Sequence, residues 1–108
     1  MIKFCTKCGS PTRFSMPEGD NRQRAICTDC EHIHYTNPRV IVGCVPTYEG
    51  KVLLCKRAIE PRINLWTLPA GFLENGETAA DGAVRETWEE AGITAEDIQL
   101  YRLYDIPY

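Results

Sequence analysis

The stretch Gly71-Phe-Leu-Glu-Asn-Gly-Glu77-Thr-Ala-Ala-Asp-Gly-Ala-Val-Arg85-Glu86-Thr-Trp-Glu89-Glu90-Ala-Gly92-Ile93 decides how this chain is read. Asn75-Gly76 is a turn signal, and Thr78 is the N-cap candidate for a helix running to Ala91. Ala80, Ala83, Val84, Thr87, Trp88 and Ala91 recur at helical spacing, so they are expected to form a buried stripe. Gly82 is a poor helix former, by roughly 1 kcal/mol against alanine, and suggests the close approach of another backbone. Gly92 is the expected C-terminal stop. Residues at i, i+3 and i+4 share a helical face, so Glu86, Glu89 and Glu90 are expected to converge. Arg85 stands four residues before Glu89 and can pair with it. Converging carboxylates repel unless a cation neutralises them, and hard oxygen ligands favour Mg²⁺ or Mn²⁺. The competing reading is a solvated acidic face on an ordinary amphipathic helix. The glycine loop and Glu77 ahead of the helix weigh against it.

Upstream, Cys5-x₂-Cys8 and Cys27-x₂-Cys30 are separated by 18 residues. Paired knuckles at this separation read as a tetrahedral Cys₄ zinc site. The segment around them has few large apolar side chains, so a structural zinc is the expected staple. A redox CxxC is the alternative, but two matched pairs fit a structural site better. His32 and His34 could each replace a cysteine ligand; with four cysteines closing the shell, they read as ordinary residues leading into a strand. Cys44 and Cys55 lie in apolar runs and are expected to be buried thiols.

The first 37 residues carry Lys3, Lys7, Arg13, Arg22 and Arg24 against Glu18, Asp20, Asp29 and Glu31, and the whole chain is −3. A nucleic-acid footprint is far more basic than this. At 108 residues and 44% hydrophobic, the chain has room for one modest core, and no run nears the ~18 apolar residues of a membrane span. With a cysteine knuckle beginning at Cys5, no signal peptide is expected, and the CxxC pattern suggests a reducing cytoplasm.

Asn37-Pro38 marks the expected boundary, giving a zinc ribbon at 1–37 and a second domain at 38–108. In the second domain, Val40 to Val45 reads as a buried strand. Glu49-Gly50 turns the chain, and Lys51 to Lys56 returns as its hairpin partner. Leu65 to Leu68 is a short strand delivering the glycine loop, and Ile98 to Ile106 reads as a strand after the helix.

The spacing G-x₅-E-x₇-R-E-x₂-E-E-x-G-I, with Trp66-Thr67-Leu68-Pro69-Ala70 just upstream, closely resembles the Nudix box of the Nudix hydrolase family. Thr87 departs from the bulky aliphatic the pattern prefers, and Ala70 stands where many members have glycine. The resemblance implies an α+β fold, an α/β/α sandwich with a mixed sheet. Only about 70 residues follow the ribbon, so that sandwich is expected to be C-terminally truncated or completed by a partner. The implied activity is metal-dependent hydrolysis of a nucleoside diphosphate linked to another moiety. Position by position, Glu86, Glu89 and Glu90 would ligate Mg²⁺ or Mn²⁺ and Gly71 would lend its carbonyl. Glu77 would support the loop or an outer metal. Arg85 would orient a glutamate, and Glu86 or Glu89 would be the base. The attached ribbon, the phrase IHYTNPRVIVGCVP and the ending YDIPY resemble the group of ADP-ribose or FAD pyrophosphatases, which release AMP. The SQPWPFP-type signature of NADH pyrophosphatases is absent from the window Leu103–Tyr108. An NADH-directed enzyme and a non-catalytic nucleotide- or RNA-binding module are the alternatives, and a homodimer is the expected assembly. Tyr35 and Phe72 are the aromatic candidates for stacking on a base, though core packing is the first expectation for each.

Overall fold

The computed structural model describes residues 1–107. The chain divides into two compact units, Met1–Pro38 and Arg39–Tyr108.

The first unit is a three-stranded antiparallel sheet of β1 (Thr12–Ser15), β2 (Arg24–Cys27) and β3 (Ile33–His34), in spatial order β1-β2-β3. Thr12 lies opposite Cys27 and Ala25 opposite His34. Its interior is small: Cys5, Ala25, Ile26, Cys27 and His34 are buried, whereas Phe4, Phe14 and Met16 are exposed. So little apolar burial leaves the cysteine cluster as the dominant cross-link.

The second unit contains β4 (Ile41–Gly43), β5 (Thr47–Tyr48), β6 (Lys51–Val52), β7 (Cys55–Lys56), β8 (Trp66–Thr67), β9 (Ala70–Phe72) and α1 (Ala79–Ala91). All its strand pairs are antiparallel: β4 with β9, β5 with β6, and β7 with β8. The expected hairpin between Val40–Val45 and Lys51–Lys56 is therefore replaced by three separate pairings. Local turn chemistry explains the change. Glu49 and Gly50 both have positive φ, 50° and 74°, which makes a two-residue turn that locks Tyr48 opposite Lys51. The ladder runs back to Leu53 N–H donating to the Pro46 carbonyl at 2.9 Å. β4 takes its partner instead from the segment that precedes the helix. Of the run Val40–Val45 only Val42 is buried, because the strand is covered on one side alone.

Helix α1 packs on β4 and β9. Its first turn is capped by Thr78, whose hydroxyl accepts from Asp81 N–H at 3.1 Å. Its end is set by Gly92, in the left-handed region at φ 68°, whose N–H donates to the Trp88 carbonyl at 2.9 Å. The face it buries is Gly82, Ala83, Glu86 and Thr87. The expected stripe is thus narrower: Ala80 is exposed and Trp88 is 60% exposed, since the two-strand surface beneath covers only one side of the helix. Thr87 is fully buried, and its hydroxyl donates to the Ala83 carbonyl at 2.8 Å, so this departure from the box's aliphatic preference is satisfied internally. Cys44 and Cys55 are half-buried rather than buried.

Residues 98–106 form no strand, and Leu100 and Leu103 are largely exposed. Alternation of apolar residues there is real, but among the described residues no neighbouring strand takes up its backbone hydrogen bonds.

Gly82 is required by side chains rather than by another backbone. A Cβ there would meet Leu73 Cδ1 at 2.7 Å, Glu77 Oε1 at 2.9 Å and Val42 Cγ2 at 3.0 Å. Gly82→Ala gains roughly 1 kcal/mol of helix propensity, yet overpacking costs about 1–3 kcal/mol. Chemical denaturation is expected to show a net loss of stability of roughly 1 kcal/mol; a stabilised variant would show that this packing yields freely.

Candidate active site and four-cysteine centre

Strand β9, the loop after it and helix α1 bring together Gly71, Phe72, Glu77, Arg85, Glu86 and Glu89. Arg85 is the hub. Its Nε donates to Glu77 Oε2 at 3.1 Å, and Nη2 donates to Glu77 Oε1 at 2.7 Å and to the Phe72 carbonyl at 3.1 Å. Its Nη1 donates to Glu86 Oε1 at 2.7 Å and to Glu89 Oε2 at 3.2 Å. The fork of guanidinium donors thus joins three carboxylates and one backbone carbonyl.

Glu86 is the buried member, with its side chain 12% exposed. It lies over Gly71, where an added Cβ would collide with both carboxylate oxygens. Gly71 is therefore a cradle for a carboxylate. Leu73 N–H donates to the Val40 carbonyl and Cys44 N–H to the Pro69 carbonyl, which by antiparallel alternation makes Gly71 and Val42 a hydrogen-bonded pair. One lone pair of the Gly71 carbonyl remains free in that arrangement.

Glu77 also accepts from Glu74 N–H at 2.8 Å. The Arg85 hydrogen bonds, followed by that backbone amide, hold its carboxyl down to about 2. The Arg85 guanidinium is correspondingly pushed up by Glu77 and then Glu86. Of the three carboxylates on Arg85, Glu89 is the most exposed, at 53%. Glu90 turns elsewhere, accepting from Ala70 N–H at 3.0 Å. The expected convergence of Glu86, Glu89 and Glu90 is thus not a ready-made cage. Among the described residues, only the four cysteines gather three or more ligand-type side chains closely enough to hold an ion. The reason is electrostatic: with like charges on one helical face, one pair shares the Arg85 cation and the third carboxylate finds a backbone amide. Even so, the donors fit a hard divalent cation. They are all oxygens, and Glu86 and Glu89 already share one positive group at Arg85 Nη1.

Phe72 and Tyr35 are both exposed, which removes core packing as their role. Each ring faces a guanidinium within its own unit, Phe72 that of Arg39 at 5.4 Å and Tyr35 that of Arg24 at 5.1 Å. The amides of Ala70 and Glu74 are participants that sequence reading missed. Backbone groups leave no mark in a side-chain pattern; the Ala70 position contributes its N–H, which alanine provides as well as glycine.

In the first unit, the sulfurs of Cys5, Cys8, Cys27 and Cys30 all lie within 4.8 Å of one another. Cys5 and Cys30 Sγ are 3.7 Å apart, and Cys8 and Cys27 Sγ 3.4 Å. Tetrahedral zinc with ~2.3 Å bonds needs sulfurs about 3.8 Å apart, so the residues fit that ion. Backbone N–H groups of Lys7, Asp29 and Cys30 point at sulfur, each at 3.3 Å, and support thiolate charge. Hydrogen bonds from the Ser10 backbone and side chain, then from Cys27, bring the Cys8 thiol down to about 6. His32 and His34 stay outside this cluster.

Comparison with known proteins agrees with this geometry. Residues 37–108 match the NUDIX domain family, and residues 3–36 match the zinc-ribbon family described as Nudix N-terminal. Phosphatase NudJ of Escherichia coli strain K12 and of Shigella flexneri is 43% identical over 67 residues, which are 62% of this chain and 43% of the relative. The crystal structure of a NUDIX hydrolase from Nitrosomonas europaea superposes with a TM-score of 0.87 at 57% identity, covering 93% of this chain and 57% of that one. The chain belongs to the Nudix family and has its fold, preceded by the family's zinc ribbon. It spans less than half the length of the NudJ relatives.

Two outcomes follow from these sites. Freshly purified protein is expected to hold one zinc per chain, and chelation should abolish the β1–β3 sheet signals in an NMR spectrum while sparing those of α1; metal-free protein with an intact sheet would remove the zinc assignment. For Glu77, the folded value of about 2 lies below the ordinary 4.5, so its contribution to stability is complete above pH 4.5 and is lost as pH falls towards 2. Thermal midpoints measured from pH 6 to pH 2 should fall less steeply for Glu77→Gln than for the wild type; equal slopes would show that the Arg85–Glu77 pair carries no such linkage.

Proposed function

We propose that this chain carries the metal-binding and catalytic part of a hydrolase cleaving the pyrophosphate of a nucleoside diphosphate linked to another moiety. ADP-ribose and FAD are the favoured substrates, and AMP is a product. The observation that carries this reading is the shared positive charge: Glu86, seated on Gly71, and Glu89 both face one Arg85 nitrogen. Two carboxylates arranged to share a cation, beside a glycine carbonyl with a free lone pair, suit an anionic substrate only when divalent ions mediate. The names of the relatives, a phosphatase and a NUDIX hydrolase, describe hydrolytic chemistry of this type in those proteins.

In this reading Glu86, Glu89 and Glu90, with the Gly71 carbonyl, hold Mg²⁺ or Mn²⁺, and Glu77 supports the loop or an outer ion. A divalent cation bound there supplies charge neutralisation and lowers the pKa of a coordinated water. Arg85 positions Glu86 and Glu89 by donating to both from Nη1. Glu89, the more exposed of the two, has the freedom to accept a proton at its carboxylate oxygen, and it is the favoured base. Phe72 and Tyr35 offer exposed rings for a nucleobase. The ribbon, residues 1–37, is structural, and residues 38–108 carry the chemistry. Six cysteines, none in a disulfide and four of them gathered as zinc ligands, accord with a reducing cytoplasm. A homodimer would cover exposed apolar side chains such as Leu65, Trp66 and Trp88, and sedimentation as a monomer would exclude it.

The decisive assay is AMP release from ADP-ribose, FAD and NADH with Mg²⁺ or Mn²⁺. ADP-ribose or FAD is expected to lead, and Glu89→Gln should lower kcat by at least about 100-fold. Wild-type rates in both Glu89→Gln and Glu90→Gln would refute the assigned roles. Preference for NADH would move the enzyme to the other substrate class, and nucleotide binding without turnover would make it a binding module.

A further inference from the structure

The two cysteine knuckles are near repeats, Cys5-Thr6-Lys7-Cys8 and Cys27-Thr28-Asp29-Cys30. Each has a threonine N–H that cannot bond within the knuckle, and each finds an acceptor elsewhere. In the second knuckle, Thr28 N–H donates to the Pro11 carbonyl at 3.0 Å. In the first, the acceptor is a side chain: Thr6 N–H donates to His34 Nε2 at 3.1 Å. The other ring nitrogen, Nδ1, lies 3.0 Å from the Ala25 carbonyl. His34 is only 6% exposed, so both bonds are shielded from water.

A backbone amide can only donate and a carbonyl can only accept. The two contacts therefore fix the ring as the neutral tautomer with its proton on Nδ1. Ala25 belongs to β2, the strand that ends in Cys27 and delivers the second knuckle. The imidazole consequently runs from the first knuckle to the strand that positions the second. We infer that His34 is a positioning residue of the four-cysteine centre, a strut that keeps the two knuckles at the separation zinc requires. It rests on the zinc assignment, not on the proposed hydrolysis. The repeat gives this residue its work: Pro11 follows the first knuckle and holds the second, whereas among the described residues Thr6 N–H has His34 as its acceptor.

The test uses the zinc-loaded chain and two substitutions that separate the ring's nitrogens. The Gln side chain at position 34 reaches the place of Nε2, and the shorter Asn side chain reaches only the place of Nδ1. His34→Asn should release zinc to a chromogenic chelator about 10-fold faster than the wild type, in line with the loss of an outer partner. His34→Gln, which keeps an acceptor for Thr6 N–H but gives up the donor to the Ala25 carbonyl, should release it at a rate between those of the wild type and His34→Asn. Long-range ¹H–¹⁵N spectra of the wild type should show His34 protonated on Nδ1 alone, with a slowly exchanging Thr6 amide. Equal zinc release from the wild type and His34→Asn would overturn the inference. So would a His34 proton on Nε2, a measurement that decides the matter even if a variant fails to fold. Absence of bound zinc altogether would instead overturn the metal assignment beneath it.

Discussion

The second unit depends on the guanidinium of Arg85. Five N–H donors in a rigid plane are spread over Glu77, Glu86, Glu89 and the Phe72 carbonyl, so one side chain ties the loop after β9 to the helix that follows it. A lysine, with a point charge on a flexible stem, could not hold these partners at once. The arrangement also accounts for Gly71. With Glu86 drawn to Arg85 and buried against the sheet, the residue below it must lack a Cβ. Removing the arginine would leave a buried carboxylate without its partner, which is far more costly than the net worth of the pair.

The chain carries two sets of ligand-type side chains whose chemistries do not interchange. Four sulfurs supported by backbone amides are soft, closed and suited to a structural ion. The carboxylates around Arg85 are hard and open, with Glu89 half in solvent. Closure and openness follow from the local folds. A CxxC knuckle brings its own amides inward, whereas the last turn of a helix has spent its own amides, so Glu89 stays half in solvent and Glu90 takes its backbone donor from Ala70.

Local signals were readable from the sequence, and non-local ones were not. Thr78 and Gly92 cap the helix because their chemistry acts within a few residues. The CxxC pairs and the box spacing were legible for the same reason: each fixes geometry over one turn or one knuckle. Strand pairing is different. The run Val40–Val45 reads as a strand whatever its partner, and the partner was settled by the Glu49-Gly50 turn and by the edge that β9 occupies. Ile98–Ile106 has a strand's composition without a neighbouring edge. The convergence of the glutamates was legible as a shared face but not as a set of rotamers. Rotamers answer to Arg85 and to the Ala70 amide, and the latter carries no sequence signature.

Helix α1 departs from ordinary rules of helix stability at two points. Its first turn is conventional, with a threonine cap and Asp81 at the positive end of the helix dipole. Its last turn has no basic residue, and it places Glu89 and Glu90 at the negative end, where carboxylates are unfavourable. A glycine sits just past the first turn to admit Leu73 and Val42. A helix selected for stability alone would carry Lys or Arg at its end and alanine at position 82. Gly82, Glu86, Glu89 and Glu90 stand at i, i+4, i+7 and i+8, so the departures from local preference share the helical face that Arg85 and Gly71 serve.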